Sequence, residues 1–230
     1  SSMGEHRMNL IPITPSLGAE VEGLDLTQPL SSEQVHALQS AFETHQVLVF
    51  RDQVLSREAH KAFARYFGDI HVHPSKQNLK RDEDPDLFFI DIKPDSKQSN
   101  GETWHADITC EARPPYASML YLTRVPDNLG GDTLFASSNA AYEALSEPMK
   151  KFLGGLSARH DGGPNYNRRA QINGKPGDKQ FPYADHPVIR THPVTGKKGI
   201  YVSPVFTQYI CDLPEDESRS ILDFLYAHNR

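Results

Sequence analysis

The chain is poor in cysteine: Cys110 and Cys211 are its only two in 230 residues, too few for a disulfide framework. It has no basic excess. Twenty-four Lys and Arg against 30 Asp and Glu leave a net charge of -6, which excludes a nucleic-acid binder that works by neutralising phosphates. No apolar run reaches the roughly 20 residues of a membrane-spanning helix, and no secretory signal opens the sequence. Gly130-Gly131 belongs to no Gly-x-Gly-x-x-Gly pattern and no Walker lysine follows it, so a phosphate cradle is a poor reading. Internal repeats and low-complexity tracts are missing too. These absences lead us to expect a reduced, cytoplasmic protein with neither nucleic-acid nor membrane partners; a homo-oligomer is allowed.

What is present suits many short strands and turns rather than a helical bundle, with 17 Pro and 15 Gly. Residues 1–8 are set aside as a tag or disordered leader, with the natural start expected at Met3 or Met8. Residues 9–230 are expected to form a single domain. Leu10–Ile13 and Ala19–Leu24 read as edge strands, and Gln46–Phe50 as a strand buried on both faces. Ser31 with Gln34 reads as a capping box opening a helix, and Ser56 opens another. Further strands are expected at Leu87–Ile92 and Tyr116–Val125, and Gly130 to Phe135 reads as a turn entering another strand. A helical stretch is expected from Ser138 to Leu153, restarted by Pro148, and a last helix from Pro214 to Arg230. Val188–His192 and Gly199–Val202 read as a hairpin. Residues 162–186, rich in Gly, Pro and Asn, read as a long irregular loop and a candidate lid. Arg168, Arg169 and Lys175 on it read as solvated charge in the first instance. The fold class is therefore mainly β with flanking helices, a sandwich or jelly roll.

The stretch that carries chemistry is Thr103-Trp104-His105-Ala106-Asp107. On an extended segment His105 and Asp107 leave the same face. An imidazole and a carboxylate so placed make two-thirds of a two-His-one-carboxylate metal site, which keeps positions open for co-substrate and O2. By itself a His-x-Asp pair is as easily a solvated, hydrogen-bonded pair. His71-Val72-His73-Pro74 offers two more imidazoles, equally readable as polar residues at a strand end.

The sequence resembles the taurine dioxygenase-like family of Fe(II)/2-oxoglutarate-dependent dioxygenases. The matching pieces include Gly18-Ala19-Glu20-Val21, Val49-Phe50-Arg51-Asp52-Gln53, Phe67-Gly68-Asp69 and His71-Val72-His73-Pro74. Trp104-His105-Ala106-Asp107, Gly130-Gly131-Asp132-Thr133-Leu134, Arg190-Thr191-His192-Pro193 and Phe206-Thr207 follow in family order. The resemblance implies a double-stranded β-helix (jelly roll) holding one Fe(II) through His105 and Asp107, with 2-oxoglutarate as co-substrate. Thr133 matches a position that helps hold the far carboxylate of 2-oxoglutarate. His73 matches a contact to the acidic group of the substrate, and Phe206 an aromatic packed on it. The implied reaction is hydroxylation of a small acidic organic substrate by O2, coupled to succinate and CO2. The acid would be a sulfonate, a sulfate ester, or an aryloxy or carboxylic acid.

The chain departs from the pattern in two ways. The family takes its third ligand, a histidine, and the arginine that pairs with 2-oxoglutarate from a segment beyond Arg230, so the domain is expected to be C-terminally incomplete here. His186 and His192 match non-ligand histidines. Substrate positions also differ. Lys76 replaces a tyrosine and, with His73, becomes an expected anion contact. Asn100 lies close to, but not at, an asparagine position. Gly162 stands where an aromatic is expected after His160-Asp161. These changes point away from taurine itself. The competing readings are a non-catalytic or truncated homologue acting as a small-molecule binding module, and a zinc hydrolase built on the same His-x-Asp.

Overall fold

The computed structural model describes residues 7–76, 84–97, 99 and 101–230. Residues 1–6 of the expected leader, and Asn100, lie outside the described residues. The chain forms two compact units, one drawn from Ser1–Ile70 and Tyr116–Ser137, the other from His71–Pro115 and Ser138–Arg230.

In the first unit β1 (Asn9–Pro12) pairs antiparallel with β2 (Ala19–Glu22), and β2 pairs in parallel with β3 (Leu48–Val49). A parallel pair needs a crossover, which α1 (Ser32–His45) supplies. Its start is fixed by Ser31, whose hydroxyl accepts from the Gln34 N–H at 3.1 Å while the Gln34 side chain accepts from the Ser31 N–H at 2.9 Å. Gln46 closes it in the left-handed region at φ 67°. Ser56 caps α2 (Arg57–Ala64) through the Ala59 N–H. The two helices turn Leu38 and Phe63 onto Val21, Leu24 and Leu26 to form the core of this unit. Burial of each such side chain stabilises it by about 2–3 kcal/mol.

The second unit contains α3 (Ser138–Glu143), α4 (Glu147–Leu153), β4 (Ser157–Asp161), α5 (Gly163–Ile172) and β5 (Tyr183–Pro187). It continues with β6 (Ile189–Thr191), β7 (Lys198–Ile200), β8 (Thr207–Ile210) and α6 (Glu215–His228). β4 lies between β5 and β8, antiparallel to both, and β6 and β7 form the expected hairpin. Pro148 sits in the first turn of α4 and Ser146 caps it, as Pro's missing N–H allows there. Leu153, Ala158, Val188, Ile200, Ile210, Leu222 and Leu225 make the core. No helix among the described residues is long and apolar enough to cross a membrane.

Three expectations need correction. Residues 87–92, 116–125 and 130–135 are not strands; Phe89, Leu120, Leu122 and Leu134 stand exposed. β-propensity measures fit to a pleated, half-buried surface, and these segments have no ladder to join among the described residues. The 46–50 strand shrinks to Leu48–Val49, half-buried because β3 is an edge of its sheet. Residues 162–186 are not one irregular loop. Pro164 occupies the first turn of α5, where its fixed φ favours the helix, and Tyr183–Pro187 pairs with β4.

Candidate metal centre

His105 and Asp107 do come together, though not as neighbours on a strand. Residues 104–106 are irregular and Asp107 opens a turn that runs to Cys110. His105 Nδ1 lies 2.6 Å from the Thr103 carbonyl oxygen. A carbonyl only accepts, so Nδ1 carries the hydrogen and Nε2 is left with its lone pair. Nε2 in turn lies 3.3 Å from Asp107 Oδ1. Two lone pairs at that separation repel unless a cation stands between them. A proton can serve. The hydrogen bond to Asp107, then the Thr103 carbonyl and the Asp107 charge, hold the His105 pKa above its ordinary 6.5 against burial and Arg169. A divalent metal serves equally well, since adjacent ligands about 2.1 Å from a metal lie about 3 Å from each other. The donor pair therefore fits a metal, and a neutral imidazole with a carboxylate is the mixture that non-haem iron takes. Among the described residues no group of three or more His, Cys, Asp or Glu side chains could hold a metal ion.

The backbone behind the pair is strained and anchored. Ile108 has φ 53°, the left-handed region that a β-branched residue avoids at a cost of about 1–3 kcal/mol. The next residue is pinned. Thr109 Oγ1 lies 2.7 Å from Nδ1 of buried His160, and the Thr109 carbonyl accepts from His186 Nε2 at 2.8 Å. Among the described residues His160 Nε2 has no hydrogen-bond partner. Burial, with His186 beside it, lowers the His160 pKa to about 4 against Asp185 and the Tyr201 backbone. Cys110 is buried as well; burial, then Glu111, raises its thiol to about 12, so it is unreactive near neutral pH.

His73 sits in the same unit. Its Nδ1 accepts from the Ser75 N–H at 3.1 Å, so Nε2 bears the hydrogen of the neutral ring and lies 3.3 Å from Tyr166 Oη. Burial, then His71, lowers the His73 pKa to about 4, with Lys76 adding and Asp107 opposing. Lys76 Nζ donates to the Leu87 carbonyl at 2.8 Å and rests over the Phe88 and Phe89 rings. Phe206 is buried, with the Tyr166 ring 5.8 Å away. Thr133 belongs to the first unit, where it is exposed. A groove of about 530 Å³ between β8 and α6 is lined by Leu213, Arg219 and Tyr226 among others and includes neither His105 nor Asp107.

Sequence reasoning missed Tyr166 and the Thr109 anchor. Tyr166 had a signal: it follows the unexpected Gly162 by four residues, one helical turn. The His160 and His186 anchors lie 51 and 77 residues from Thr109, beyond any local pattern.

Against known proteins, a Schizosaccharomyces pombe protein is 37% identical over 223 residues, covering 92% of this chain and 55% of that protein. An alpha-ketoglutarate-dependent sulfonate dioxygenase of Saccharomyces cerevisiae is 32% identical over 229 residues, covering 93% of this chain and 53% of its own length. The chain thus spans about half the length of these curated relatives. The crystal structure of a taurine dioxygenase from Burkholderia xenovorans has a similar fold, with a TM-score of 0.73, 28% identity, and coverage of 96% of this chain and 73% of that one. The model of the "Taurine catabolism dioxygenase TauD, TfdA family" matches residues 9–230. On that match across both units, the chain belongs to the TauD, TfdA family of dioxygenases.

Proposed function

We propose that this protein is a 2-oxoglutarate-dependent non-haem iron dioxygenase that hydroxylates a small acidic organic substrate, a sulfonate, sulfate ester or aryloxy or carboxylic acid, with release of succinate and CO2. The observation that carries the reading is the facing pair of His105 Nε2 and Asp107 Oδ1, 3.3 Å apart, with Nδ1 fixed on Thr103. Two protein ligands come from this pair. A third ligand, a histidine, and an arginine for 2-oxoglutarate complete the site in this reading, and neither is assigned to a residue of these 230. Fe(II), when bound with 2-oxoglutarate, supplies the O2 activation and C–H oxidation that no side chain can perform. The chain's own part is to hold and orient. Thr103 locks the ligating tautomer, and the buried Thr109 anchor fixes the turn that aims Asp107. Thr133 helps to hold 2-oxoglutarate. This reading assigns His73, Lys76 and Phe206 to the substrate, together with Asn100, which lies outside the described residues. Cytoplasmic residence fits the two free cysteines.

The test is 2-oxoglutarate-dependent succinate release by the intact protein with Fe(II), offered alkanesulfonates, alkyl sulfates and aryloxyacetates. The single tryptophan, Trp104, adjoins His105, so its fluorescence reports metal binding without turnover. Substrate-stimulated succinate release is expected, with Trp104 responding to metal in the unaltered protein and much less in His105→Ala. An equal fluorescence response in both proteins would remove His105 from the metal, and succinate release that no acid stimulates would refute the activity.

A further inference from the structure

A buried sulfonate or carboxylate needs a cation or several aimed donors. The basic side chains expected on the substrate side each have part of their bonding capacity taken. His73 holds a neutral ring, with Nδ1 taken by the Ser75 N–H. His71 pairs with Glu111 at 3.6 Å. Lys76 lies on the Leu87 carbonyl, over two phenyl rings. The helix α5 brings two further groups. Tyr166 reaches His73 with its hydroxyl, and its ring packs on Phe206 and, at 4.9 Å, on Phe181. Arg169 follows at i+3, on the same face. It is half-buried where Arg168 is exposed, and its Nη2 donates to the Ser99 carbonyl at 3.0 Å. Ser99 is on the loop leading to His105, and the Arg169 charge is felt at both Glu102 and His105.

Gly162 explains why Tyr166 can stand there. A Cβ at 162 would meet the Tyr166 ring at 2.9 and 3.0 Å and Cys110 Sγ at 3.1 Å. The aromatic expected at position 162 is absent, and a ring from one helical turn later fills the place. Because His73 donates its Nε2 hydrogen to Tyr166 Oη, the phenol's own hydrogen is directed to an acceptor outside the pair.

We propose that Tyr166 and Arg169, one turn apart on α5, recognise the acidic group of the substrate, with Gly162 leaving the space that the tyrosine ring occupies. The proposal rests on the dioxygenase reading above and makes α5 a determinant of substrate choice. The phenol donates one hydrogen bond and the guanidinium supplies the charge.

Calorimetric titration of the intact protein, loaded with Mn(II) and 2-oxoglutarate, separates this from its alternatives. The probes are hexanesulfonate, hexyl sulfate and phenoxyacetate, with phenoxyacetamide as the neutral counterpart. Arg169→Gln is expected to weaken acid binding about ten- to hundredfold, the usual share of a charged hydrogen bond, and to leave the amide affinity unchanged. Tyr166→Phe is expected to cost about three- to tenfold. Gly162→Phe is expected to abolish binding of all probes by expelling the Tyr166 ring, and Gly162→Phe with Tyr166→Ala to recover the amide. Since Arg169 also supports the Ser99 loop, Arg169→Lys is the control: it keeps the charge and is expected to retain most acid binding. Equal losses in the Lys and Gln variants, or acid affinities within twofold of the original in both Arg169→Gln and Tyr166→Phe, would overturn the proposal alone. An unaltered protein that binds Mn(II) and 2-oxoglutarate but none of the acids would overturn the functional reading and this proposal with it.

Discussion

Acid should weaken this fold through His160, the more deeply buried of the two histidines whose pKa falls to about 4. Its side chain is fully buried, and its pKa falls from an ordinary 6.5 to about 4. The unfolded chain therefore binds a proton at this residue from about pH 6.5 downward, while the folded chain resists until about pH 4. Between those values the unfolded state holds more protons, so stability rises with pH. The contribution is fully present above pH 6.5 and is lost as pH falls toward 4. A gap of about 2.5 pH units, at about 1.4 kcal/mol per unit, gives a loss of about 3 kcal/mol as an upper figure. Urea unfolding at pH 7.5, 6 and 5 measures it. The His160→Leu variant is expected to show a shallower dependence than the original protein, by up to about 1.4 kcal/mol per pH unit. The comparison isolates His160 from carboxylates that titrate in both proteins. Parallel stability curves for the two proteins would refute the reasoning, as would an NMR titration placing the folded His160 pKa near 6.5.

Three further outcomes follow from the same structure. Leu225→Ala removes a fully buried side chain from the core of the second unit and is expected to cost about 2–5 kcal/mol in chemical denaturation. Gly177→Ala is expected to destabilise by about 1–3 kcal/mol by the same measurement, because Gly177 has φ +69° and a Cβ there would collide with Gln171 and the Asn167 carbonyl. Asp107→Asn takes away the negative charge and leaves only a neutral amide oxygen to accept from His105, weakening what raises the His105 pKa, so NMR titration is expected to find His105 deprotonating at lower pH in the variant; an unchanged value would break the pairing.

The parts of the fold that sequence reasoning finds are those fixed by local chemistry. Ser31 and Ser56 each stand at the head of a helix because a hydroxyl beside unsatisfied N–H groups needs only three residues of context. The β6–β7 hairpin is likewise contained within a dozen residues. Segments 87–92 and 116–135 mislead because their apolar alternation says what a sheet would accept, not that a sheet partner is present. The α5 helix hides behind its own composition, since Gly163, Pro164 and Asn165 look like a loop until Pro is seen to be in the first turn.

The candidate site divides along the same line. His-x-Asp is legible because two donors two residues apart need no tertiary partner to be noticed. What makes the pair a rigid clamp is not local. Ile108 in the left-handed region would relax if it could. It is held because Thr109, next along, is pinned by its hydroxyl to His160 and by its carbonyl to His186. Those imidazoles come from β4 and β5, adjacent strands in which His160 pairs with Ala184 and Ala158 with His186. The β4–β5 register thus sets where Asp107 points, and a one-residue slip of β5 against β4 would turn His186 to the face opposite His160 and break the two-sided hold on Thr109. Protonating His160 in the folded chain, near pH 4, would then loosen the clamp along with the fold, because the same buried ring serves both.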